Sequence, residues 1–100
     1  MKENNKLVVL FENQPVRREW DEKAEKWYFS VVDIIRVLTG SIDARDYWFK
    51  MKIRVKSDDG IELSTICRQL KLLSSDGKKY LTDVADVEAL FRIIQSVPSP

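Results

Sequence analysis

The stretch Trp27-Tyr28-Phe29-Ser30-Val31-Val32-Asp33-Ile34-Ile35-Arg36-Val37-Leu38-Thr39-Gly40 limits what this chain can fold into more than any other. Its aromatic triplet reads as the end of a strand. Ser30 reads as a helix N-cap, and Asp33, three residues on, can reach back in a carboxylate form of the capping box. Val31, Ile34, Ile35 and Leu38 follow at i, i+3, i+4 and i+7, one face of a helix. Gly40 supplies a stop. A strand that feeds straight into a capped, strongly apolar helix is a nucleus for a small α+β domain.

The rest of the chain supplies short antiparallel strands, hairpins and further helices around that nucleus. Leu7–Phe11 reads as a strand, and Asn13-Gln14-Pro15 as a turn. Val16–Trp20 alternates as a strand does. Asp21–Lys26 is a charged connector, so 16–29 forms a hairpin. After the loop Ser41-Ile42-Asp43, with Asp43 as N-cap, Ala44, Tyr47, Trp48, Met51 and Val55 share one helical face. Residues 44–55 are therefore read as a helix, although Met51, Ile53 and Val55 also alternate with Lys52, Arg54 and Lys56 as in a strand. Ser57–Gly60 reads as a loop. Leu63, Ile66, Cys67 and Leu70 repeat helical spacing, with Ser64 or Asp59 as cap. Lys71–Leu73, the turn Ser74-Ser75-Asp76-Gly77 and Lys78–Thr82 read as strand, turn, strand. Asp86 caps a last helix carrying Val87, Leu90, Phe91 and Ile94. The expectation is one α+β domain spanning residues 1–100, with three to four short helices. The closing Pro98-Ser99-Pro100 suggests a piece of a longer protein.

Chemistry is sparse. The chain has no histidine and one cysteine. The commonest general base and metal ligand are thus missing, and no internal disulfide can form. Cys67 is expected in the core, and Ser64 as a cap rather than a nucleophile. Asp58 and Asp59 read as a solvated turn, with no third acid at calcium-loop spacing. The three glycines are isolated, so no phosphate loop exists. No catalytic residue, metal or cofactor is expected, and the chain is not read as an enzyme. No apolar run approaches the roughly 20 residues of a membrane span. A cytoplasmic location is the default.

Charge gives the best positive signal. Net charge is +1 overall, yet residues 36–80 hold ten Lys and Arg against six Asp and Glu. Most of that excess lies in Arg45–Lys56. On the helix read over 44–55, Arg45, Lys52 and Lys56 cluster opposite the apolar stripe, with Lys50 and Arg54 as a second group. Lys50/Arg54 and Lys52/Lys56 are like-charge i, i+4 pairs, each costing a few tenths of a kcal/mol in an isolated helix. A phosphate backbone would reverse that penalty, and an ordinary solvated face would not need to. Arg36 and Arg68 add to the set if the fold brings them near. Phe49, Ile53 and Trp20 are candidate anchors for a protein partner. Trp27 and Trp48 fit the core better than a stacking platform.

The order of these elements resembles a known family. Trp27–Thr39 resembles the aromatic-Phe-x-x-x-Asp-Val-x-x-x-Leu signature of the BRO family N-terminal domain, also found in prophage antirepressors, with Ile34 in place of Val. Asp86–Ser96 resembles its second landmark, a helix of the Gly-Leu-x-x-Leu-Ile-x-x-Ser type. Asp46–Lys52 and Gly60–Leu70 look like the bacterial and prophage branch. The resemblance implies a DNA-binding regulatory domain, commonly joined to a variable C-terminal domain. It carries over no catalytic residue. DNA is then the expected partner, and a repressor or other regulatory protein the alternative. A homo-oligomer is left open.

Overall fold

Ser30 ends one element and begins the next. In the structure, a computed structural model describing residues 8–98, its hydroxyl accepts from the Asp33 backbone N–H at 3.2 Å. Gly40 closes the helix at φ 67°, a left-handed value that glycine takes without strain, and its N–H donates to the Arg36 carbonyl. The elements run β1 (Val8–Phe11), β2 (Gln14–Asp21), β3 (Lys26–Ser30), α1 (Val31–Thr39), α2 (Ala44–Asp59), a 3-10 turn (Leu63–Ile66), β4 (Arg68–Leu73), β5 (Lys79–Ala85) and α3 (Val87–Gln95). The strands form one antiparallel sheet in the order β1-β2-β3-β5-β4. The class is α+β, as expected. No helix among the described residues is long and apolar enough to cross a membrane.

The register puts Phe29 opposite both Arg18 and Ala85. Val16, Phe29 and Ala85 therefore share the sheet face on which the helices pack. Val31 and Ile35 from α1, Met51 from α2 and Ile93 from α3 meet there with at most 1% exposure. Each such side chain contributes roughly 1.5–3 kcal/mol by leaving water. Asp43 and Asp86 cap α2 and α3 as expected, accepting from Asp46 N and Ala89 N.

The structure corrects four local expectations. Residues 63–70 do not form one helix. The 3-10 turn stops at Ile66 and β4 begins at Arg68, with Glu62 at the N-cap position and neither Ser64 nor Asp59 capping. The period misled because Leu63 and Leu70 are apolar in two different elements. Residues 57–59 extend α2, and Gly60 ends it at φ 71°. The first turn is Glu12-Asn13, both at positive φ, the geometry that matches strand twist. Pro15 lies within β2 opposite Leu10, beyond the reach of the β3 pairing. Leu7 and Ser99-Pro100 lie outside the described residues.

The fourth correction concerns Asp33. Its carboxylate does not reach back to Ser30. It is 2% exposed and accepts from Arg17 N and Nε, Arg17 Nη2 and Arg36 Nη1, all between 2.9 and 3.3 Å. Arg17 also donates to Ser30 Oγ and to the Leu73 carbonyl on β4. Burial pushes the Asp33 carboxyl upward. The hydrogen bonds and charge of Arg17, with Arg36 adding, outweigh that and hold it below the ordinary carboxylate range. A depressed native pKa stabilises the fold above the unfolded value and loses that effect as pH falls through the native one. Asp33→Asn is accordingly expected to cost about 3 kcal/mol in urea unfolding at pH 7. Its deficit relative to the parent should shrink as pH drops below about 4.

Candidate functional site

Helix α2 divides its residues cleanly. Ala44, Trp48, Met51 and Val55 are buried against the core. The opposite side faces solvent, with Phe49 and Ile53 along its middle at 59% and 56% exposure. At 100° per residue, Arg45 and Lys56 flank that apolar pair on one side, and Lys50 and Arg54 on the other. A cleft of about 230 Å³ beside it is lined by Phe49, Lys52, Ile53, Lys56, Glu62 and Leu63.

Most of the nominated cations already hold internal partners. Lys50 pairs with Asp46 one turn earlier at 3.0 Å, and Lys56 with Glu62 at 3.3 Å. Arg54 donates to the Ser96 carbonyl at 2.9 Å. Arg36 pairs with Asp33 and donates to the Pro15 carbonyl. Arg68 pairs with Asp21 and lies over the Tyr28 ring, on the far side of the sheet from α2. Arg45 makes no ion pair with a described residue. The like-charge cost along α2 is thus relieved within the chain, each cation of a pair turning to a different oxygen.

Lys52 departs most from its expected place. It is not on the outer face. It folds over the Trp48 ring, 5.2 Å from the centroid, and pairs with Asp83 at 3.2 Å. Asp83 also accepts from Trp48 Nε1 at 2.8 Å and Gln69 Nε2 at 3.1 Å. Burial pushes this carboxyl up, and its hydrogen bonds to Trp48 and Gln69 with the Lys52 charge bring it below the ordinary range. The node fastens α2 to the β4–β5 hairpin. Lys52 is therefore a structural cation.

Trp20 belongs to the β2–β3 hairpin. It stands edge-on to Trp27 with ring centroids 5.4 Å apart, 40% exposed. Arg18 lies over the Trp27 ring at 3.6 Å. Cys67 is half-buried beside the core, its thiol donating to the Leu63 carbonyl. Burial, with the Asp83 charge adding, pushes that thiol up to about 12, so it stays protonated and a poor nucleophile. Among the described residues no group of three or more His, Cys, Asp or Glu is placed to hold a metal.

Asp83, Glu62 and Asp21 were not among the residues read from sequence as site-shaping. Asp83 stands 31 positions from Lys52 and Asp21 stands 47 from Arg68. No local pattern announces such partners. Comparison of the whole chain with family models, with curated proteins and with solved structures finds no match.

The division of α2 makes a direct contrast. Phe49→Ser combined with Ile53→Ser is expected to leave chemical-denaturation stability within about 1 kcal/mol of the parent. Trp48→Ala is expected to cost about 3–5 kcal/mol, because it empties a core site and removes one of the three donors to Asp83.

Proposed function

We propose that this domain binds DNA through the outer face of α2 and serves gene regulation rather than chemistry. The observation that carries the reading is the placement of exposed cations on both flanks of one helix face, Arg45 and Lys56 on one side, Lys50 and Arg54 on the other. Two rows of cations can reach the two phosphate backbones that border a groove, with the apolar pair facing base edges such as thymine methyls. Their internal partners do not oppose this. Lys50–Asp46 and Lys56–Glu62 are surface pairs with both side chains well exposed. Such pairs are worth about 0–1 kcal/mol and open readily. Counterion release from phosphate then favours the exchange. The resemblance of residues 27–39 and 86–96 to the BRO family N-terminal domain supports the same reading.

A second reading is a surface that docks on a repressor or other regulatory protein. It is favoured by the exposure of Phe49 and Ile53 and by the acids already beside Lys50 and Lys56. In that reading the apolar pair anchors the partner and the cations steer it.

The two separate on duplex-DNA titrations across a salt series. Lys50→Gln with Lys56→Gln is expected to lower the log–log salt slope by up to about 2. Phe49→Ala with Ile53→Ala should leave that slope in place. An unchanged slope and affinity in the lysine variant would defeat the DNA reading.

A further inference from the structure

A second basic cleft lies away from the α2 face. It sits where α1 and the start of β2 face the turn joining β4 to β5. Pro15, Arg17, Asp33, Arg36, Ser74 and Ser75 line about 310 Å³ of open space there. We infer that this cleft seats one phosphoryl group, held by the guanidiniums of Arg36 and Arg17 with the hydroxyls of Ser74 and Ser75. That the phosphate belongs to a nucleic-acid backbone rests on the function proposed above; the seat itself does not.

The argument is a count of donors and charges. A carboxylate offers about four lone-pair sites. Asp33 already accepts from four N–H groups, so it can take no more. Two guanidiniums meet that single carboxylate, and the lining keeps one positive charge in excess. Arg36 is 41% exposed in its side chain and spends only two of its five N–H groups on described residues, Asp33 and the Pro15 carbonyl. Three donors remain on a guanidinium whose position is fixed by those two bonds. Arg17 is held even more firmly, at four points on Asp33, Ser30 and Leu73. Ser74 and Ser75 face the same space, and neither hydroxyl bonds to a described residue. A tetrahedral oxyanion suits this set, because it can accept from a planar fork and from hydroxyls at once.

The cleft also connects to the proposed DNA face. Arg17 lines a neighbouring cleft of about 220 Å³ that contains Arg45, Trp48 and Asp83. Arg36, Arg17 and Arg45 thus form a cationic path from α1 to the first turn of α2. A backbone phosphate in the seat would extend the contact made by α2.

Unfolding midpoints in inorganic phosphate and in chloride, at equal pH and ionic strength, test the seat with the free ion. Phosphate at about ten times its dissociation constant should raise the midpoint by roughly 5–10 °C. Arg36→Gln should abolish most of that increment. Ser74→Ala with Ser75→Ala should reduce it while leaving the midpoint in chloride unchanged, so the test survives if Arg36→Gln folds poorly. A phosphate increment no larger than that of chloride, or one that persists in both variants, overturns the inference. Duplex DNA distinguishes the source. If Arg36→Gln lowers the duplex salt slope by about 1, the seat takes a backbone phosphate. If phosphate stabilises the protein and duplex does not bind, the seat stands for a free phosphate and only the nucleic-acid reading falls. If duplex binds with an unaltered slope in Arg36→Gln and phosphate adds nothing, the seat falls and the α2 reading stands.

Discussion

One buried carboxylate holds the elements of this domain in register. Asp33 sits in the first turn of α1, where the helix dipole favours a negative charge. Its side chain binds both the backbone and the guanidinium of Arg17 on β2. Arg17 in turn reaches Ser30 at the β3–α1 junction and Leu73 on β4. Hydrophobic burial pulls α1 onto the sheet without fixing where along the sheet it rests. The Asp33–Arg17 pair supplies that direction, since a buried charge without its partner costs several kcal/mol. Every displacement of α1 against β2 must break it.

The cations of α2 look alike in sequence and do different work in space. Lys52 is drawn inward by Asp83 and by the Trp48 ring, and joins a helix to a hairpin. Lys50 and Lys56 stay out in solvent in weak, exchangeable pairs. The same side chain is therefore part of the scaffold at one position and available to a partner four residues away. What separates them is the local dielectric. The Lys52 pair is partly shielded from water, and its attraction is correspondingly stronger than that of an exposed pair.

Much of the fold was legible because its punctuation is local. Ser30, Asp43 and Asp86 each cap a helix through an N–H three residues on, and Gly40 ends the first. The apolar faces of α1, α2 and α3 follow from simple spacing. Legibility failed where apolar residues of two elements fell in one period by chance, at Leu63 and Leu70. It failed again where a short-range reading competed with a long-range one. Asp33 has the spacing of a capping box, and nothing near it in sequence signals that Arg17, sixteen positions earlier, has the stronger claim. The site divides along the same line. The cations could be named from sequence, and so could the outward Phe49 and Ile53. Their neutralising partners could not, because sheet order β3-β5-β4 brings Asp83 to α2 only after the whole chain has folded.

Sheet order also leaves β4 at an edge, and edge strands invite pairing with other chains. The strand Arg68–Leu73 carries three leucines at its sequence positions 70, 72 and 73, a composition prone to such pairing. Arg17 blunts that tendency by occupying the Leu73 carbonyl from within the molecule. Alternating with the leucines, Lys71 adds a charge that a flat intermolecular ladder would have to stack. The residue that orients α1 thus also guards an edge, so a chain that loses its buried ion pair gains a sticky strand at the same moment. Colloidal solubility and folding stability are coupled here through one guanidinium.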